Sequence, residues 1–195
     1  MTAPTPQHPP RRLLLLAGAA VLVAGGAGLL WPRAAALPDP SDPGTTLAQV
    51  EDAVARALLV PEITAAELAT MMQGGGAPLL LLDVREPEEF AQSRIPGAVR
   101  VAPGTPAAEL LARHGAAMRG ANVVFYCAVG WRSGLMVEAL RTATTQAGAL
   151  ALLNLRGGIF RWHAEGRALE FAAGAQGVHP FDSTWGRLLR RTLGG

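Results

Sequence analysis

The chain has 195 residues, which fits one domain with extensions, and half of them are hydrophobic. Its single cysteine excludes an internal disulfide, and one cysteine with four scattered histidines does not make a structural zinc site. The net charge is only +2, and the 17 basic residues, all arginine, form no stripe with interleaved aromatic residues, so nothing indicates nucleic-acid binding.

The N-terminal region is organised around an uncharged apolar run, residues 13–31. Residues 1–12 precede it; they are rich in proline, are predicted to be disordered, and end on Arg11 and Arg12. An apolar run of this length can cross a bilayer, which takes roughly 20 residues. The positive charges at its N-terminal end predict an N-terminus that stays in the cytoplasm and a domain on the exported side, periplasmic or extracellular.

A removed signal peptide is the alternative to this single-pass anchor in the cell membrane. The small residues Ala34–Ala36 offer a cleavage site, and cleavage near Ala36 would give a secreted protein. The run is longer than the apolar part of a usual signal peptide, although its glycines weaken a helix. We therefore expect the anchor.

Residues 32–60 are predicted to form a linker followed by an amphipathic helix. Three prolines between Leu37 and Gly44 favour an extended chain. Beyond them, apolar residues recur at helical spacing: Leu47, Val50, Val54 and Leu58.

Residues 61–175 alternate between helical patterns and apolar runs. This alternation predicts an α/β domain with a parallel β-sheet and helices on both faces. Thr64 and Glu67 form a capping box for one helix, and Ala107–Met118 is predicted to form another. The predicted strands are Leu79–Val84, Val99–Ala102, Val123–Tyr126 and Ala149–Leu155. Residues 176–195 form a tail in which four apolar residues predict a last short helix: Trp185, Leu188, Leu189 and Leu193.

Asp83 and Arg85 stand at the C-terminal end of the first long strand, where open α/β sheets place their sites. We expect these two residues to pair with each other and to support a neighbouring loop. The acidic stretch that follows, Glu86–Glu89, is not interpreted as a pair of catalytic carboxylates. Pro87 fits the first turn of a helix, and acidic residues there complement the helix dipole.

The stretch Cys127–Ser133 leads from a predicted strand into a predicted helix, with Ser133 near the helix cap. Unpaired amides at the helix start and the charge of Arg132 both favour a thiolate at Cys127, and the thiolate is the nucleophile. Gly130 permits positive φ, which lets backbone amides turn inward. The alternative, an inert buried cysteine, fits poorly beside Arg132, a costly neighbour for an apolar site.

Four residues of this stretch resemble the active-site loop of the rhodanese family of sulfurtransferases, Cys-x-x-Gly-x-Arg-Ser: Cys127, Gly130, Arg132 and Ser133. Three further stretches resemble family signatures and occur in family order: Leu81–Phe90, Ile95–Ala98 and Leu155–Trp162. The resemblance covers about residues 61–170. Arg94 departs from it, because the family often has histidine at that position.

The resemblance implies a sulfurtransferase in which the Cys127 thiolate takes sulfur from a small anionic donor such as thiosulfate. A persulfide would form, and cyanide or a thiol would accept the sulfur. The loop would bind the substrate through its backbone amides and the charge of Arg132; its residues are Ala128, Val129, Gly130, Trp131, Arg132 and Ser133. The resemblance implies neither a metal nor an organic cofactor.

Arg132 stands at the start of a helix, where a positive charge is unfavourable to the helix dipole. We therefore expect Arg132 to serve the chemistry more than the fold, and expect Arg132→Ala to change stability by no more than about 1 kcal/mol.

Two other functions remain open on the same fold. Related phosphatases have five residues between cysteine and arginine in this loop; four intervene here, which favours sulfur over phosphate. Non-catalytic binding modules usually lack the cysteine, whereas Cys127 is present. Trp131, a bulky residue inside the loop, would nevertheless narrow a pocket.

Overall fold

The computed structural model describes residues 37–194. The predicted anchor at residues 13–31 lies outside the described residues, as do the predicted disordered segment and cleavage site. In the part of the chain that is described, no helix is long and apolar enough to cross a membrane. The helices are α1 (Leu47–Leu58), α2 (Ala65–Met72), α3 (Pro87–Gln92), α4 (Ala107–Met118), α5 (Trp131–Gln146), α6 (Gly158–Ala164) and α7 (Ser183–Gly194). The strands are β1 (Glu62–Ile63), β2 (Leu79–Asp83), β3 (Ser93–Arg94), β4 (Val99–Arg100), β5 (Asn122–Tyr126), β6 (Ala151–Leu155) and β7 (Glu170–Phe171).

Five strands form a parallel sheet in the order β1-β6-β5-β2-β4. The middle strand, β5, pairs with β2 through Phe125 and Leu82 and with β6 through Val124 and Leu153, so the carboxyl ends of these strands meet at one edge. Helices flank the sheet, which confirms the predicted α/β class. The structure adds a two-stranded antiparallel ladder, β3 with β7, that the sequence patterns do not predict.

The main hydrophobic core is shared by β2, β5, α4 and α5. Residues 123–126 of β5 are all buried, as expected for a central parallel strand that is covered on both faces. The buried residues of this core are Leu82, Val84, Val101, Leu110, Met118, Val123, Phe125, Met136, Val137 and Leu140. The core fixes β5 and α5 against each other, and the connection between them therefore has a defined position.

The predicted amphipathic helix is α1, and it packs on the domain. Its four predicted apolar residues are buried: Leu47, Val50, Val54 and Leu58. On the same helix, the Glu51 carboxylate accepts hydrogen bonds from the Arg161 guanidinium of α6, with Nε at 2.7 Å and Nη2 at 3.0 Å. An ion pair therefore ties α1 to the helix that follows β6.

Local capping sets several helix boundaries. The predicted capping box at α2 is present: Thr64 Oγ1 accepts from the Glu67 N–H at 3.2 Å, and Glu67 Oε2 accepts from the Thr64 N–H at 2.9 Å. The tail residues predicted to form a last helix lie in α7, which buries Leu188 and Leu189. α5 begins at Trp131, and Gly130, with φ 94°, occupies the cap position before its first turn.

Candidate active site

The loop between β5 and α5 brings the predicted site residues together at the carboxyl edge of the sheet. Cys127 follows β5 directly and has no exposed surface. The residues that follow it, up to Ser133, complete the loop and enter the first turn of α5. The register of the sheet pairs Asp83 at the end of β2 with Tyr126. Asp83 therefore stands beside the residue that precedes the cysteine.

The first two carbonyl groups of the loop point away from it, toward the start of α6. Cys127 O accepts a hydrogen bond from the Ile159 N–H at 2.9 Å, and Ala128 O accepts one from the Phe160 N–H at 3.0 Å. This close approach requires glycine at Gly158, where φ is +53° and a Cβ would lie 2.6 Å from Ala128 O. The Gly-Gly motif therefore has a specific role: it lets a helix start bind the carbonyls of the cysteine loop.

Asn154, on β6, holds the other end of the loop. Its Nδ2 donates to Gly130 O at 3.0 Å, and its Oδ1 accepts from the Ser133 hydroxyl at 2.7 Å. All three residues are buried. Ser133 lies near the cap of α5, as predicted, but it does not supply the cap: Gly130 occupies the cap position, and the Ser133 hydroxyl bonds to the sheet. Apolar patterning located the strand but did not reveal this polar side chain inside it.

The backbone amides of the loop remain available. Among the described residues, no carbonyl or side chain accepts a hydrogen bond from the N–H groups of residues 128–133. Three of these amides belong to the first turn of α5, where no intrahelical acceptor exists. Unpaired amides at the start of a helix favour an anion, and they lie directly after Cys127.

Arg132 is bound by a residue that the sequence analysis did not assign to the site. Its Nη1 donates to Glu89 Oε2 at 2.7 Å and its Nη2 to Glu89 Oε1 at 2.8 Å. Burial lowers the Arg132 pKa, but the hydrogen bonds that Arg132 donates to Glu89 and the charge of Cys127 outweigh this effect, so the pKa of Arg132 is raised overall. The helix dipole explains why an acidic residue stands in the first turn of α3, but it does not explain why Glu89 is buried there.

A second unforeseen contact reaches Arg132 from the tail. The Arg132 guanidinium lies over the ring of Phe181, 4.8 Å from its centroid. Phe181 is not glycine yet has φ 72°. A lone aromatic residue in a polar segment carries no periodic signal, which is why the sequence did not point to it.

Asp83 and Arg85 form a fully buried ion pair. Arg85 Nε donates to both Asp83 carboxylate oxygens, at 2.9 and 3.0 Å, and Arg85 Nη2 donates to Asp83 Oδ2 at 2.6 Å. The Arg85 guanidinium also lies over the Tyr126 ring, and the Tyr126 hydroxyl accepts from the Ile95 N–H at 3.2 Å. The expected pairing is present next to the cysteine loop; the supporting role of the pair in catalysis stays a prediction.

The cysteine is closed off in this structure. Ala128, Val129 and Trp131 are buried with it, and within residues 37–194 the Trp131 Nε1–H has no acceptor. A cavity of about 470 Å³ lies elsewhere, at the start of α1, and Cys127 does not line it. Substrate access to Cys127 therefore requires movement of a covering group.

Comparison with known proteins gives a family match. Residues 64–165 match the family model of the rhodanese-like domain, within the predicted domain limits of 61–175. A Synechococcus elongatus protein described as "Uncharacterized 16.5 kDa protein in psaL 5'region" is 45% identical over 42 residues, 22% of this chain. The match spans 28% of that relative's length.

Solved structures of rhodanese-like proteins are also similar. A rhodanese-related protein from Thermoplasma volcanium is 28% identical, with a TM-score of 0.44; the match covers 56% of this chain and 97% of that one. The rhodanese-like domain of Anabaena Alr3790 is 22% identical, with a TM-score of 0.47 and coverage of 63% and 88%. A thiosulfate sulfurtransferase from Pseudomonas aeruginosa is 21% identical, with a TM-score of 0.46 and coverage of 80% and 27%. Similarities of this size do not bear on activity or substrate.

Proposed function

The chain belongs to the rhodanese-like domain family, and we propose that it is a sulfurtransferase with Cys127 as its nucleophile. One observation carries the proposal: Cys127 is followed by backbone amides that have no acceptor among the described residues, while neighbouring carbonyls bond to α6 and Asn154. Such an arrangement favours an anion at the cysteine. A persulfide is such an anion.

The proposed reaction has two steps. The Cys127 thiolate attacks the outer sulfur of thiosulfate, the sulfur–sulfur bond breaks, and sulfite leaves with the electron pair. Cyanide then attacks the terminal sulfur of the persulfide, thiocyanate leaves, and the thiolate is restored. In both steps the loop amides stabilise the charge on the transferred sulfur. The same chemistry serves a thiol acceptor.

Arg132 acts in this proposal by its charge. Both of its Nη atoms already donate hydrogen bonds to Glu89, so they do not bind the sulfur donor directly. Its positive charge attracts the anionic donor toward the cysteine. It also stabilises the negative charge that develops as the persulfide forms.

The test is thiocyanate production from thiosulfate and cyanide by the purified protein. We expect activity in the natural chain and none in Cys127→Ser. Thiocyanate production that survives the substitution would contradict the proposal.

One observation favours a second candidate, a non-catalytic binding module of the same fold. Cys127 has no exposed surface, and Trp131 is buried beside it. A binding module would leave Cys127 without added sulfur at any donor concentration, whereas the sulfurtransferase would form the persulfide. The specific reaction with thiosulfate is therefore what separates the two.

We also propose that residues 13–31 anchor the protein in the cell membrane, with the domain on the exported side. The uncharged run and the preceding Arg11 and Arg12 support this orientation. A C-terminal reporter that is active only outside the cytoplasm should be active. Activity of a cytoplasm-only reporter would refute the orientation, and a soluble exported chain beginning near Leu37 would indicate cleavage instead.

A further inference from the structure

We propose that Phe181 closes the entrance to Cys127 and determines the size of the molecules that react there. The proposal rests on the proposed sulfurtransferase function and adds a specificity-determining residue to it. Phe181 lies in residues 172–182, which connect β7 to α7 and which we call the strap. The strap lies beyond residues 64–165, the part matched by the family model.

The contacts around Arg132 place Phe181 on the outside of the site. Cys127 is fully buried, and its charge contributes to the raised pKa of Arg132, so the two side chains are neighbours. The edge of the guanidinium binds Glu89, and its face lies over the Phe181 ring. The Arg132 side chain is only 12% exposed, whereas Phe181 is 46% exposed. From the cysteine outward, the order is therefore Cys127, Arg132, Phe181 and solvent.

The backbone of Phe181 is held in a costly conformation. A bulky side chain at φ 72° is unusual, because the left-handed region favours glycine. The Phe181 N–H donates to His179 Nδ1 at 3.1 Å, and Asp182 Oδ1 accepts from the Thr184 N–H at 2.8 Å at the start of α7. Contacts on both sides of Phe181 thus set the direction of its ring. Strain of this kind is often associated with sites that change conformation.

The strap itself is weakly attached. Most of its residues are exposed, and Gly174 and Gly177 both have positive φ. Its anchors include the buried Val178 and a hydrogen bond of 3.3 Å from Gln92 Nε2 to Gly177 O. Segments with few buried contacts open at low free-energy cost. The strap can therefore lift Phe181 from Arg132 while the sheet and α5 stay folded.

This arrangement predicts size selection. A small donor or acceptor needs only a small displacement of the ring, whereas a bulky one needs the strap to open. Replacing Phe181 by alanine removes the ring but keeps the loop, Arg132 and Glu89. The substitution should therefore increase the reaction rate of bulky reagents more than that of small ones.

The experiment measures alkylation of Cys127 in the full chain by two neutral reagents, iodoacetamide and N-(1-pyrenyl)maleimide. Both react with the same thiolate, so the ratio of their rates reports access rather than thiolate fraction. In Phe181→Ala we expect the pyrenyl reagent to react at least about three- to fivefold faster than in the natural chain. This factor corresponds to the free energy of one lost cation–π contact. The rate increase for iodoacetamide should be smaller. Phe171→Ala is the matched control, because Phe171 is 44% exposed and lies in β7, before the strap.

Phe181→Tyr keeps an aromatic ring of similar size over Arg132 and should stay close to the natural chain, which controls for a general effect of mutation. Equal rate ratios in Phe181→Ala, Phe171→Ala and the natural chain would overturn the proposal. Sulfur transfer is measured on the same preparations. A changed ratio of alkylation rates without any persulfide would support Phe181 as the entrance residue and refute the sulfurtransferase function. Persulfide formation with an unchanged ratio would support the sulfurtransferase function and refute the role of Phe181.

Discussion

Arg132 and Glu89 form a two-point ion pair inside the protein, with N–O distances of 2.7 and 2.8 Å. Arg132 lies at the start of α5 and Glu89 in the first turn of α3. The pair therefore joins the cysteine loop to the helix that follows β2. It also means that the charge of Arg132 has a structural partner as well as a chemical neighbour.

Arg132→Ala is expected to destabilise the domain by about 3–5 kcal/mol, because it leaves the buried Glu89 carboxylate without its partner. This replaces the expectation from the sequence alone, a change within about 1 kcal/mol, which considered only the helix dipole. Chemical denaturation measures the loss. In the double variant with Glu89→Gln, the loss should be smaller than the sum of the two single losses.

Arg113→Ala is the control for this prediction. Arg113 pairs with Glu109 at 2.9 Å, but both side chains are largely exposed, at 68% and 46%. Exposed pairs of this kind contribute about 0.2–1 kcal/mol, so this variant should be nearly as stable as the natural chain. Equal effects of Arg132→Ala and Arg113→Ala would mean that the buried pair does not stabilise the fold.

Gly158→Ala should disrupt the cysteine loop, because the added Cβ would lie against Cys127 O and 2.6 Å from Ala128 O. Gly166→Ala is a matched control: Gly166 also has positive φ, +66°, but nothing lies within 4 Å of an added Cβ. The control should lose only the cost of the backbone conformation, about 1–2 kcal/mol. We expect Gly158→Ala to lose clearly more in thermal unfolding and to lose sulfur transfer. Similar melting temperatures for the two variants would contradict this account of the Gly-Gly motif.

Asn154→Ala should slow persulfide formation, because Gly130 O and the Ser133 hydroxyl lose the groups that position them. We expect about a tenfold lower rate, equivalent to about 1.4 kcal/mol, and a stability loss of about 2–4 kcal/mol from the unpaired buried groups. Ser133→Ala removes only one of the two hydrogen bonds and should have a smaller effect on both quantities. A full rate of persulfide formation in folded Asn154→Ala would show that Asn154 stabilises the domain without positioning the loop.

Tyr126 is the only tyrosine of the chain, so tyrosinate absorbance reports on it alone. Burial and the charge of Asp83 raise its pKa well above the ordinary value of 10.0. Above pH 10 the unfolded chain therefore releases a proton that the native state retains, and the free energy of unfolding falls as pH rises. This contribution to stability is complete below pH 10 and is lost as pH rises through the folded pKa.

Absorbance of the native protein should show Tyr126 still neutral above pH 10, and the melting temperature should fall steeply in that range. The chain contains no lysine, so few other groups titrate there. Tyr126→Phe should weaken this pH dependence, although it removes the acceptor for the Ile95 N–H. Ordinary titration of Tyr126 in the folded state would contradict the described burial.

Much of this fold follows from local patterns in the sequence. Continuous apolar runs predict the central strands, because a parallel strand covered on both faces cannot alternate. The capping box of Thr64 and Glu67 depends on residues only three positions apart, so it too can be predicted from the local sequence. The cysteine loop is contiguous, and the sheet order then brings Asp83 beside Tyr126.

The remaining features depend on contacts between distant residues. Glu89 and Arg132 are 43 positions apart, and nothing in either local pattern specifies the other. Phe181 reaches Arg132 from the tail, and β3 and β7 are two residues each, too short for a periodic signal. Ser133 and its hydrogen-bond acceptor Asn154 are 21 positions apart, and Gly130 starts the helix without a side-chain cap.

The central claim, that Cys127 carries transferred sulfur, is tested most directly by the mass of the intact chain after exposure to thiosulfate. Cys127 is the only cysteine, so a gain of one sulfur atom assigns both the chemistry and the residue. We predict that the natural chain gains one sulfur atom and loses it when cyanide is added, and that Cys127→Ser does neither. An unchanged mass, under conditions in which iodoacetamide alkylates Cys127, would contradict the claim.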